Sequence, residues 1–171
     1  MLDKNYSLYF YSSISLFMAL LLQIIPVFPP MAYWRPQFLL LVVFYWLLKK
    51  QHQHGVTFAW LAGMLLDIFS GQMLGRHAIA FSLSAYVLVL LSKKLYNFGL
   101  LLQASLVFFV VLFNQLLMAS ISLLYRTDWS IDVLVAPAIT SALTWPFLSL
   151  LMNGLFKNGR LNQDNLFEEQ K

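Results

Sequence analysis

The sequence contains no cysteine, which removes a disulfide framework, a thiolate metal site and a thiol nucleophile. Charge is nearly as scarce. Eleven basic and seven acidic side chains make up 11% of the 171 residues, against about 25% in soluble domains. A water-soluble domain of this size could not cover its surface with so few. A phosphate-cradling glycine loop and an HExxH helix are also absent. What is present is apolar: 60% of the chain, against about 45–50% in soluble proteins. That excludes disorder. A length of about one domain with this composition indicates an integral membrane protein.

Charge-free runs cover residues 5–34, 36–48, 51–66, 77–92, 95–125 and 133–156. A helix needs roughly 20 apolar residues to cross about 30 Å of hydrocarbon, so six spans would use about 120 residues. The pattern predicts an all-α, polytopic bundle over residues 1–157. Its spans fall near 8–26, 34–50, 55–71, 76–93, 97–125 and 131–155. A short polar tail at 158–171 follows, long enough to fray or form one helical turn. The run at 36–48 is short for a crossing, and the third span carries Asp67, so a five-span reading with a re-entrant segment stays open.

Charge bias favours six spans with both termini cytoplasmic. That arrangement puts Lys4, Lys49, Lys50, Lys93, Lys94, Lys157, Arg160 and Lys171 inside, and only Arg35, Arg76 and Arg126 outside. The first span reads as a retained anchor, because no small-x-small cleavage pattern follows it. Tyr6, Tyr9, Tyr11, Tyr33, Trp34, Tyr125 and Trp129 fall at the expected membrane interfaces. The basic residues form no stripe or patch, which argues against nucleic-acid binding despite the net charge of +4.

Polar residues inside the spans carry the chemistry. Asp67 lies about 18 Å into a helix that starts at Gly55. An ionised Asp at that depth costs roughly 2.5–3.5 kcal/mol on insertion scales, so it needs a partner. Arg76 is the nearest candidate and Arg35 the second. The plainer reading is a helix-end ion pair that fixes the third and fourth spans together; contact with a partner protein is the other. Gly63, Asp67, Gly71 and Gly75 recur every four residues, a small stripe that lets another helix approach closely. The later glycines are also expected to end the helix and form the turn. Asn114 and Gln115 read as interhelical hydrogen-bonders. Thr140, Ser141 and Thr144 lie near Pro137 and Pro146 and can bond freed carbonyls, and Gln23 near Pro26 can do the same.

No enzyme constellation emerges. His52 and His54 lack a third metal ligand. His77 sits at a span end beside Arg76, and no second acid shares the depth of Asp67, since Asp128 and Asp132 belong to the last outer loop. No cofactor or metal site is expected.

These residues resemble a family. Leu22-Gln23-Ile24, Arg35-Pro36, Tyr45-Trp46, Gly63, Asp67, Ser70-Gly71, Leu74-Gly75 and Trp145-Pro146 together look like the bacterial rod-shape-determining MreD family, over roughly residues 20–152. The resemblance implies a non-enzymatic, multi-pass subunit of the inner membrane. It implies binding to an MreC-like bitopic protein and work with MreB, RodZ, RodA and its transpeptidase in lateral peptidoglycan synthesis. Candidate helix-packing or partner-binding residues are then Arg35, Pro36, Gly63, Asp67, Ser70, Gly71, Gly75, Arg76, Trp145 and Pro146. The rival reading is a small-molecule-binding membrane subunit of a vitamin-type transporter, which would need a pocket lined by converging polar groups. Whether the chain forms homo-oligomers stays open.

Overall fold

A computed structural model describes residues 3–28, 31, 34–49, 55–71, 73–95, 99–124 and 131–168. The regular elements among them are six helices: α1 Asp3–Ile24, α2 Phe38–Lys49, α3 Val56–Ser70, α4 Arg76–Leu95, α5 Leu100–Leu124 and α6 Ile131–Glu168. They stand where the charge-free runs predict helices. Two contain stretches long and apolar enough to cross a membrane, Leu100–Ile121 and Leu134–Leu155; the other apolar helices are shorter.

Two boundaries differ from expectation. The second helix begins at Phe38, not near residue 34. Pro36 disfavours helical geometry at Arg35 and offers no N–H to a ladder. The last helix does not fray at residue 158 but continues to Glu168. No proline follows Pro146, and Lys157, Arg160, Leu161, Gln163 and Leu166 are all good helix formers.

The centre of the bundle is α2. Every residue from Leu39 to Leu47 is buried, and α1, α3, α4 and α6 all pack on it. A helix that is apolar all round belongs inside a bundle, not on its surface. This explains how a helix of 12 residues, about 18 Å long, can sit among longer neighbours: its sides meet protein. Successive helices α3 and α4, and then α5 and α6, form the most extensive pairs.

Outward faces are apolar as well. Phe10, Ile14, Phe17 and Leu21 form an exposed stripe on α1; Ile79, Leu83, Tyr86 and Leu90 do so on α4, and Leu143, Phe147 and Leu150 on α6. Their spacing of three and four residues puts each set on one helix face. Exposed apolar faces on this scale suit a hydrocarbon surround and not water.

Helix association in lipid gains little from burying apolar surface, so packing and polar contacts have to hold the bundle. One such contact joins α1 to α2. The Trp46 indole donates to Ser15 Oγ at 2.8 Å, and the Ser15 hydroxyl donates to the Ser12 carbonyl at 2.9 Å. On α6, which carries Pro137 and Pro146 internally, Thr140 bonds the carbonyls of Ala136 and Pro137, and Thr144 those of Thr140 and Ser141. The prolines free the carbonyls of Val133 and Ala142, four residues before each, so these hydroxyls bond other carbonyls than the expected ones.

Candidate functional site

The residues singled out at the third-to-fourth span close a helical hairpin. Gly71 caps α3 in the left-handed conformation, with φ 63° and ψ 23°. Its N–H closes on the carbonyls of Asp67 and Ile68. Gly75, at φ 98°, ends the turn and accepts the N–H of Ile79 at 2.9 Å, which opens α4. L side chains avoid this left-handed region, and the turn needs it twice.

A glycine at the start of α4 supplies no capping side chain, and Asp67 fills that position from the other helix. Its Oδ2 accepts the N–H of Gly75 at 2.9 Å and of Ala78 at 3.3 Å. Its Oδ1 accepts the N–H of His77 at 3.0 Å and meets His77 Nδ1 at 2.7 Å. Helix N-termini leave their first N–H groups without intrahelical partners and carry partial positive charge. A buried carboxylate, 1% exposed, satisfies both needs.

The amide groups of α4 and the His77 ring bond to Asp67, partners that the expected ion pair did not include. Arg76 opens α4 one residue before His77. Arg35 points to another helix end: it donates to the Ile25 carbonyl at 2.7 Å and to the Leu22 carbonyl. A cation at the negative end of α1 is favourable on dipole grounds. Gln23, on the same turn, has a buried Oε1 that meets no donor among the described residues.

The four-residue stripe is also divided. Only Gly63 and Asp67 lie within α3. A Cβ on Gly63 would stand 2.6 Å from Ala78 Cα and from the His77 carbonyl oxygen. The two backbones touch there, directly below the capped end of α4. Gly71 and Gly75 have open space around them and serve the turn. Ser70 is exposed.

A second polar group lies deeper. Gln37, just before α2, donates through Nε2 to Gln115 Oε1 at 2.8 Å and accepts through Oε1 from Asn114 Nδ2 at 3.0 Å. The Ser84 hydroxyl donates to Asn114 Oδ1 at 3.3 Å. Ser141 Oγ accepts the backbone N–H of Gln37 at 3.1 Å. Four elements therefore meet through one network: the start of α2, then α4, α5 and α6. Asn114, Ser84 and Ser141 are fully buried. Sequence reading finds Asn114 and Gln115 but misses Gln37 and Ser84. The signal for Gln37 was its place after Arg35-Pro36, where Pro36 sets up a helix start and leaves a polar side chain at the entrance.

Trp145 and Pro146 lie away from both groups, midway along α6. Trp145 is buried at 1% exposure, and its indole N–H finds no acceptor among the described residues. Pro146 accepts the Ser149 hydroxyl at 2.9 Å. Pro36 accepts the Phe38 N–H at 3.0 Å. Lower down, the Tyr45 hydroxyl donates to Asn153 Oδ1 at 3.1 Å, joining α2 to α6.

No group of three potential metal ligands occurs among the described residues. His52, His54, Tyr33, Tyr125, Arg126, Asp128 and Trp129 lie outside them. Asp67, Asn114, Gln115, Thr140 and Thr144 were the polar groups available to a vitamin-type pocket. Their bonds run to the protein itself, and the transporter reading gains no support.

Buried polar bonds between apolar helices, with apolar faces outward, define a helical membrane protein. The sequence profile described as rod shape-determining protein MreD matches residues 4–156. The chain is 29% identical over 128 residues to the rod shape-determining protein MreD of Haemophilus influenzae, covering 75% of this chain and 79% of that one. No solved structure matches. The chain belongs to the MreD family of rod shape-determining proteins.

Proposed function

We propose that this chain is a non-enzymatic, multi-pass subunit of the bacterial inner membrane. It binds an MreC-like bitopic protein and helps organise lateral peptidoglycan synthesis with MreB, RodZ, RodA and its transpeptidase. The observation that carries this reading is the family match across residues 4–156. The arrangement of polar groups agrees with it. Asp67, Asn114, Gln37 and Ser141 bond to the chain's own backbone and side chains, a disposition that suits a scaffold. With little mass outside the helices, partners are met through helix faces and short turns.

In this reading all six helices cross the membrane, with both termini cytoplasmic. The bias of basic residues supports that orientation. The absence of native cysteine makes a direct test simple. Met73→Cys, in the α3–α4 turn, should react with an impermeant maleimide in intact spheroplasts. Gly55→Cys and Gly99→Cys should react only after permeabilisation. Labelling of Gly55→Cys in intact spheroplasts would overturn the topology.

The functional test is rescue of rod shape in a rod-forming bacterium deprived of its own family member, with co-purification of its MreC-like protein. Rescue without recovery of that protein would refute the partner assignment. Failure of correctly inserted protein to restore rods would refute the shape assignment.

A further inference from the structure

The helices that face lipid differ in length. The apolar stretches of α5 and α6, Leu100–Ile121 and Leu134–Leu155, hold 22 residues each and run about 33 Å. Either fits about 30 Å of hydrocarbon with an ordinary tilt. α3 holds 15 residues, Val56–Ser70, and runs about 22 Å. Beside it, the uncharged part of α4, residues 77–92, runs about 24 Å. Tilt can only shorten the reach of these two. α2 is shorter still, but its buried sides meet protein.

A short span is accommodated by thinning of the bilayer, by side chains that reach outward from its ends, or by association with another copy. Three features favour the first. α3 is bounded by Gly55 and Gly71, which have no side chain to extend. Its outward face is bulky, with Trp60, Leu61, Leu65, Ile68 and Phe69 all exposed. Helix contacts in lipid use small residues, and Gly63, Gly71 and Gly75 already serve the hairpin itself. The tip of the hairpin exposes Met73 and Leu74, side chains that suit the edge of the hydrocarbon and not water.

We infer that the α3–α4 hairpin draws the two headgroup layers together beside it, thinning the bilayer to about 22–24 Å on that side of the bundle. The occupant of this face is lipid. The same thinning lowers the mismatch of any neighbour whose span is short. The inference rests on the membrane placement above but not on the MreC-like partner, and the assay below contains no partner.

The test uses the full chain in vesicles of dimyristoleoyl or dieicosenoyl phosphatidylcholine, the second giving the thicker bilayer. Because the chain has no cysteine of its own, a nitroxide can be placed singly at Leu61→Cys, Leu65→Cys or Phe69→Cys on α3, and at Leu143→Cys on α6. All four positions are exposed. Each protein is first checked for wild-type helicity and elution, and either of Leu61 and Leu65 suffices should the other variant fail to fold. Immersion depth is read from relaxation by oxygen and by a nickel chelate. The Leu61 and Leu65 labels, each five residues from an end of α3, should lie about 8 Å below the nearer headgroups, and the Phe69 label about 2 Å. These depths should be the same in both lipids, while the Leu143 label sinks deeper in the thicker one. Leu61 and Leu65 labels that deepen in step with Leu143 would overturn the proposal. So would a Phe69 label as deep as the Leu65 label, which would mean a tip submerged in an undeformed bilayer. Loss of oxygen contact at Leu61 and Leu65 would also overturn it and assign the face to a second copy. A Leu143 label that stays shallow in both lipids would instead refute the membrane placement on which the proposal rests.

Discussion

Adding one methyl group at Gly63 tests the helix contact on which the hairpin depends. The new Cβ in Gly63→Ala would lie 2.6 Å from Ala78 Cα and the His77 carbonyl oxygen, and 2.7 Å from the Ala78 nitrogen. Carbon contacts are favourable near 3.5–4.0 Å, so α4 has to retreat by about 1 Å. Every atom in the way is backbone, and no side chain can rotate aside. The retreat would also pull the N–H groups of His77 and Ala78 off Asp67. Overpacking of this kind costs about 1–3 kcal/mol. Replacing a helical glycine by alanine returns up to about 1 kcal/mol. A net loss of about 1–2 kcal/mol remains, and at about 2–4 °C per kcal/mol the melting temperature should fall by roughly 2–8 °C. Gly154→Ala is the matched control. It also lies within a helix, α6, but its Cβ would meet no atom within 4 Å, so the protein should melt unchanged or slightly higher. Both can be followed in detergent by tryptophan fluorescence. Melting of Gly63→Ala at or above wild type, alongside Gly154→Ala, would refute the close approach.

Substitutions at three more positions probe the other contacts by the same melting assay. Asp67→Ala strips the acceptor from three amide groups and the His77 ring, and should cost about 2–4 kcal/mol through buried donors left unmet. Asp67→Asn should fall between it and wild type, because one acceptor oxygen survives; an Asp67→Asn protein less stable than Asp67→Ala would contradict the capping geometry. Asn114→Leu leaves Gln37 Oε1 and the Ser84 hydroxyl without their partner and should cost about 1–3 kcal/mol. A neutral result would mean that the network adds nothing to the stability of the bundle. Gly71→Ala and Gly71→Leu should destabilise about equally, by roughly 1–2 kcal/mol, because the cost is left-handed backbone and the space around Gly71 is open. A much worse leucine variant would show a steric contact in place of strain.

Much of the fold was legible because lipid simplifies the code. Charge-free runs bounded by charged residues located all six helices, and no long-range information was needed. The inner position of α2 was less so. Its run is uniformly apolar, and periodicity cannot separate a helix buried in protein from one facing hydrocarbon when no face is polar. At the hairpin, the sequence identified the acid and the glycines but not the amide groups and the His77 ring that meet Asp67. Arginine was the expected partner of Asp67 because formal charge is visible in a sequence. The partial charge of a helix end is not, and it appears only when α4 is placed with its N–H groups toward the carboxylate. Gln37 escaped for a similar reason. It stands just before α2, and its two amide bonds to α5 exist only once that entrance is packed against Asn114 and Gln115.

The fate of the recognisable motif bears on where partners bind. Gly63, Asp67, Gly71 and Gly75 all act within one hairpin: as a backbone contact, a cap and two left-handed turn residues. Asp67 is 1% exposed and has its carboxylate occupied by the chain's own amide groups, so a partner cannot reach it without opening α4. Any loss of assembly in Asp67→Ala or Gly71→Leu would therefore run through the hairpin's shape. The parts left facing outward include the turn itself, with exposed Met73 and Leu74, and apolar faces of α1, α3, α4, α5 and α6. Association in lipid depends on surface fit, so substitutions that alter bulk on those faces should separate partner binding from folding. Leu83→Trp or Phe147→Ala should leave melting unchanged. If one of them also abolishes co-purification with the MreC-like protein, the contact lies on that stripe. If neither does while Met73→Glu does, the turn carries it.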